Sequence, residues 1–167
     1  MVAANNNGFS LIELMLVMTI AGILALIGMP AMRDIMLNQE VKTSASDLHL
    51  SLLLARSEAI KRSGNVVVER NSSWGNGWSV KTGTTVLRTR DPLSGLAVEC
   101  STDSDDSAET CPDSVTFQRS GRPVSYTQYR LFVAGNPGVT MRCITVGISG
   151  VPNIKLDNDT DSANGCG

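Results

Sequence analysis

Glu13 is the side chain in this sequence that most demands a chemical explanation. It precedes nineteen consecutive residues, Leu14 to Met32, that carry no charge. A carboxylate inside hydrocarbon is costly unless it is neutralised or paired, so Glu13 either meets a cation there or sits at the headgroup boundary. Both readings follow from residue type and position. The next candidates are Cys100, Cys111, Cys143 and Cys166, all in the second half. They form no C-x-x-C and make a poor zinc pattern; an even count beyond an apolar helix points to disulfides in an oxidising compartment. Of the three possible connectivities, the sequence-local pairs Cys100–Cys111 and Cys143–Cys166 are preferred. His49 is the only histidine, so a Ser–His–Asp or Cys–His site would hang on that residue alone. The acids of Asp157–Gly165 alternate as a calcium loop begins, yet Ser162 stands where the sixth-position glycine belongs. A solvated acidic tail is expected there, with no metal, no cofactor and no enzymatic activity.

The elements that must position these residues divide the chain. At about 1.5 Å per residue, the charge-free run would span roughly 28 Å as a helix, close to a bilayer's apolar thickness. A cleaved secretory signal should start with basic residues and end in a small-residue site. Residues 1–8 hold no Lys or Arg and no A-x-A follows. The segment therefore reads as a retained membrane helix. Val41, Ala45, Leu48, Leu52, Ala55 and Ala59 then recur at alternating steps of four and three, one face of a helix. Leu50, Leu53, Leu54 and Ile60 are expected to widen that stripe. Lys61, Arg62 and Gly64 supply a cationic last turn and a C-terminal cap. One helix over 9–62 is predicted, bent at Gly22, Gly28 and Pro30.

Beyond Gly64 the pattern changes to short β-type runs broken by Gly, Pro, Asn and Ser. Strands are predicted at 65–70, 78–81, 84–90, 96–100, 115–118, 130–134, 139–146 and 153–156. Residues 101–113 form an acidic loop. The resulting division is 1–8, an N-terminal leader; 9–33, an apolar helix; 34–63, an amphipathic helix; and 64–167, a β-rich domain. The fold class is α+β, a long N-terminal helix packed on antiparallel strands. A net charge of −2 over the chain excludes a strongly basic nucleic-acid binder.

The string GFSLIELMLVMTIAGILALIGMP, from Gly8 to Pro30, resembles the class III signal of type IV pilins and type II secretion pseudopilins. That resemblance implies cleavage by prepilin peptidase between Gly8 and Phe9, and N-methylation of Phe9. It also makes Glu13 the fifth mature residue and Pro30 the twenty-second, both shared positions of the family. One departure stands: family leaders usually carry Lys or Arg, and this one has neither. In a filament, the Glu13 carboxylate of one subunit would pair with the terminal ammonium of its neighbour, selecting register as much as adding stability.

ARSEAIKRSGNVVV (55–68) is similar to the helix end and first strand of minor pilins of the GspH/FimT group, the FimU- and FimT-like proteins. WGNGWSV, VTFQRSGRP and RCITVGISG follow in the same order as in that group. The resemblance implies a pilin-like fold and a structural role as a minor pilin, in the initiation or tip complex. The implied partners are other minor pilins, the major pilin, the prepilin peptidase and the inner-membrane assembly platform. The implied location is the inner membrane with the β-rich domain in the periplasm, and then the pilus. A type II secretion pseudopilin is the near alternative.

A second alternative is a DNA-binding pilin for natural transformation. In that branch a Gly-Arg motif near the C-terminus holds DNA; here Gly150 is followed by Val151, with Lys155 the nearest cation. Arg119, Arg122, Arg142 and Lys155 are the candidate DNA contacts, and Arg88, Arg90 and Arg130 could extend them into a patch. Residues 64–167 nonetheless hold nine Lys/Arg against eleven Asp/Glu, which opposes phosphate binding. Trp74 and Trp78 are expected to pack on the sheet.

Overall fold

A computed structural model of the chain describes residues 10–101 and 111–157, the side chains of 27–31 and of Ser101 aside. The leader, the Gly8–Phe9 bond, the acidic residues 102–110, the acidic tail and Cys166 lie outside the described residues. The chain divides into two compact units after Met36.

The first element is α1 (Leu11–Arg62), 52 residues long. It starts where the backbone N–H groups of Glu13 and Leu14 donate to the Ser10 carbonyl. Ser10 and Glu13 make an S-x-x-E pattern, and the acid stands in the first turn, where it complements the positive end of the helix dipole. The other end closes as a Schellman motif: Gly64 N–H donates to Ala59 C=O and Ser63 N–H to Ile60 C=O. The left-handed residue is Ser63, at φ 50°, and not Gly64. Among the described residues no helix is long and apolar enough to cross a membrane. The charge-free run passes through residues 27–31, whose side chains are not described.

In the second unit, the predicted helix face is the buried one. Val41, Ala45, Leu48, Leu52, Ala55 and Ala59 are all essentially inaccessible. Burial of each Val or Leu there contributes about 1.5–3 kcal/mol. The stripe widens only in part: Leu53 and Leu54 are partly buried, but Leu50 and Ile60 are about half exposed while Ser44 and Ser51 are buried. Angle decides this. At about 100° per residue Leu50 falls roughly 200° from Leu48, whereas both serines lie within about 60° of it.

All eight predicted strands exist, with shifted ends: β1 (Val66–Arg70), β2 (Trp78–Thr82), β3 (Thr85–Arg90), β4 (Ala97–Ser101), β5 (Ser114–Phe117), β6 (Thr127–Phe132), β7 (Arg142–Val146) and β8 (Pro152–Leu156). They form two antiparallel four-stranded sheets, in the orders β3-β2-β1-β5 and β4-β6-β7-β8. β6 begins three residues earlier than predicted because Thr127 pairs with Val146 and Gln128 with Thr145. β7 begins three residues later because Gly138 C=O and Thr140 N–H are bonded to the Asn38 side chain on α1, at 3.3 and 2.9 Å. Residues held in this way are not free to join a ladder.

The helix face and both sheets share one core. Trp74, in a short 3-10 turn over Trp74–Asn76 capped by Ser73, is buried within it. Its ring meets Tyr129 of the second sheet edge-on at 4.8 Å and Trp78 of the first at 6.5 Å. Its indole N–H donates to Pro112 C=O at 2.8 Å. Both tryptophans therefore pack inside the domain, as expected.

Candidate functional site

The first candidate surface is the start of α1. Glu13 is exposed there, and the large apolar side chains around it are exposed on all sides, from Leu11 (76%) to Leu26 (78%). Within this unit nothing covers them, so the segment carries an apolar surface with one acid at its head. Such a helix is hydrophobic all round and suited to burial in lipid or against other helices. Pro30 lies within α1. Gly8 and Phe9 lie outside the described residues, and the pairing expected of Glu13 involves a group there.

The second half of α1 is fastened to the sheets by polar contacts that the sequence did not disclose. Trp78 Nε1 donates to Ser51 Oγ at 2.9 Å, and that hydroxyl donates to Asp47 C=O at 2.8 Å. Asp47 accepts a hydrogen bond from Arg88 Nη2 at 3.3 Å and forms an ion pair with Arg90, whose Nε lies 3.0 Å away. Arg56 Nε donates to Gly121 C=O at 3.3 Å. At the helix end, Arg62 and then Lys61 hold the Glu58 carboxyl below its usual range, Arg62 Nε lying 2.5 Å from Oε2. Desolvation acts in the opposite sense on Tyr129, whose fully buried hydroxyl is pushed well above the usual phenol range.

The candidate DNA contacts are not brought together. Arg119 and Arg122 share the exposed turn after β5. In the β7–β8 ladder Arg142 faces Leu156 and Cys143 faces Lys155, so the pleat sends Arg142 and Lys155 to opposite faces. Arg88 and Arg90 are committed to Asp47. Arg130 is buried, with Nη2 3.9 Å from Glu99 of the neighbouring strand. His49 is half-buried on α1. No group of three or more metal-ligating side chains converges among the described residues.

Cys100 and Cys111 form the expected disulfide, with their Cα atoms 4.8 Å apart. Cys143 is also disulfide-bonded; Cys166, its expected partner, lies outside the described residues. Behind Cys111 the chain is tied down twice more. Pro112 C=O accepts the Trp74 indole, and Asp113 forms an ion pair with Arg70.

A long helix running into two antiparallel sheets is the arrangement of a pilin subunit, and comparison with known proteins identifies which kind. The model for the type II transport protein GspH matches residues 44–150. The chain belongs to the GspH family. The prokaryotic N-terminal methylation motif matches residues 3–29. No curated protein matches the chain. Among solved structures, FimU, a type IV minor pilin of Pseudomonas aeruginosa, superposes with a TM-score of 0.59 at 19% identity, over 77% of this chain and 96% of that one. EpsH, a minor pseudopilin from the Type 2 Secretion System of Vibrio cholerae, gives 0.55 at 16% identity, over 71% of this chain and 98% of that one. At these identities the two structures speak for the fold, which is the α+β pilin-like fold that the sequence predicts. This GspH-family chain is thus a minor pilin or pseudopilin, of a type IV pilus or of type II secretion.

Proposed function

We propose that the chain is a minor subunit of a type IV pilus, made as a membrane-anchored precursor and built into the initiation or tip complex with other minor pilins and the major pilin. Prepilin peptidase cleaves it after Gly8 and methylates Phe9, and the assembly platform in the inner membrane extracts it. Before assembly, residues 9–33 hold it in that membrane with the β-rich domain in the periplasm. The chain is itself no enzyme; the chemistry is done on it.

The observation that carries this reading is the contrast along α1. From Val41 to Ala59 one face is buried on the chain's own sheets, while from Leu11 to Leu26 the large apolar side chains are exposed all round. The first surface is satisfied within the subunit, and the second needs lipid or neighbouring helices. Glu13 then pairs with the Phe9 ammonium of a neighbouring subunit, and Pro30 occupies the shared proline position. In the low dielectric of a filament core, that pair favours correct register and penalises slippage.

The test is mass spectrometry of the mature chain together with pilus incorporation of Glu13→Ala and Glu13→Gln. Mature chains should begin at N-methylated Phe9, and both variants should be cleaved and folded but depleted from pili. Normal entry of Glu13→Ala into pili would remove the pairing role. The EpsH-like fold favours a second reading, a type II secretion pseudopilin. Deletion separates the two readings, since pilus loss with normal secretion supports the first and the converse the second.

A further inference from the structure

Three segments meet at the end of the domain where α1 stops. The turn after β5 is closed by Gly121 N–H donating to Gln118 C=O and Gln118 N–H to Arg122 C=O, and the β7–β8 turn by Gly150 N–H donating to Gly147 C=O. The two turns touch through glycines. A Cβ on Gly150, at φ 76°, would overlap the Gly121 carbonyl, and one on Gly121 would come within 2.6 Å of Ile60 Cδ1. Arg56 binds the same Gly121 carbonyl, so helix end and turns are locked together.

What these segments present outward is unusual for turns, which ordinarily carry polar residues. Among the described residues from Leu37 onward, seven large apolar side chains are exposed, and four of them are here: Ile60 (48%), Val124 (66%), Ile148 (79%) and Val151 (50%). The same segments carry Arg56, Lys61, Arg62, Arg119 and Arg122, against one acid, Glu58. Neither Arg119 nor Arg122 pairs with an acid among the described residues. A chain of net charge −2 thus has three adjoining segments of net charge +4 around an apolar centre.

We propose that this end is a docking surface for another pilin-type subunit, one that presents an apolar protrusion ringed by carboxylates. Charge complementarity selects the partner: apolar contact supplies the area, and Arg119 and Arg122 supply orientation and exclude basic surfaces. Nucleic acid is the poorer fit. Trp74, Trp78, Phe117 and Tyr129 are buried and Tyr126 and Phe132 partly buried, so among the described residues no aromatic ring stands fully exposed as a stacking platform for bases. The proposal rests on the pilin reading, and its test separates the two.

A photoreactive phenylalanine is placed at Ile148, or at Leu24 on the exposed apolar helix, in the full chain within cells; adducts are identified by mass spectrometry. Position 24 reports filament packing, and position 148 reports this surface. The expected result is an adduct from 148 to a pilin-type subunit through an acid-rich peptide. Arg119→Glu with Arg122→Glu should weaken it at least about tenfold, since like charges face each other across a contact worth over about 1.4 kcal/mol. The adduct from 24 should persist. Replacing the partner's acids with lysine should restore the lost adduct. If the doubly reversed chain does not fold, Arg119→Gln with Arg122→Gln takes its place and should still weaken the adduct. Adducts from 24 with none from 148, or a 148 adduct indifferent to charge, overturn the proposal and leave the pilin reading intact. Absence of both overturns the two together. Salt-sensitive DNA binding by the full chain in detergent that is lost on Arg119→Glu assigns the surface to DNA instead.

Discussion

Ser51→Ala should destabilise the domain far more than an exposed serine substitution would. In the folded chain the Ser51 hydroxyl is fully used, accepting from the Trp78 indole at 2.9 Å and donating to the Asp47 carbonyl at 2.8 Å. Ser51 and Trp78 are both essentially inaccessible, so water cannot replace the lost acceptor. Leaving a buried N–H unsatisfied costs about 1–3 kcal/mol. At roughly 3 °C per kcal/mol for a chain of this size, Tm should fall by about 3–9 °C. The assay is thermal unfolding of the full chain in detergent micelles, followed by near-UV circular dichroism. A double-mutant cycle isolates the bond. In a Trp78→Phe background, with no indole donor left, Ser51→Ala should cost under about 0.5 kcal/mol. An equal loss in both backgrounds, or no loss in the first, would refute the claim that this hydrogen bond fastens helix to sheet.

Ser63→Gly should raise stability by about 1 kcal/mol in urea titrations, since glycine takes the left-handed position without the penalty a Cβ imposes at φ 50°. Tyr129 is held neutral by burial, so its contribution is complete below the unfolded pKa of about 10 and is lost as pH rises toward the higher folded value. Above about pH 10, unfolding free energy should therefore decline by as much as about 1.4 kcal/mol per pH unit, and Tyr129→Phe should flatten that slope. Replacing Cys100 and Cys111 with serine opens a short closed loop and should cost about 3 kcal/mol, read as a lower urea midpoint under oxidising conditions; the same variant should show no further change with reductant at that site.

The alternation of three- and four-residue steps from Val41 to Ala59 fixes which side of α1 is buried, and the eight β-type runs announce the strands. Residue type alone does not give the width of the stripe, which angle decides: Leu50 is apolar yet points away, and Ser51 is polar yet buried. Ser51 is tolerated there because its hydroxyl donates to Asp47 C=O one turn back and accepts from a tryptophan 27 residues later. Sheet order was equally out of reach, because pairing β1 with β5 across an intervening strand of the other sheet is a long-range choice that no local pattern encodes. At the candidate site, the Cys100–Cys111 bridge was legible because close cysteines are a local signal. The cationic apolar end was not, since it is assembled from three segments nearly ninety residues apart in the chain.

The fastenings of α1 at Asn38, Asp47, Ser51 and Arg56 bear on how a subunit of this kind carries load. They lie along some eighteen residues of helix, about 27 Å at 1.5 Å per residue. A pull along the helix axis would try to slide the helix past the sheets and would strain all four together, in shear. A sideways pull would peel them one after another. The domain is therefore mechanically anisotropic, stiffest in the direction in which a filament under tension would draw on its helix.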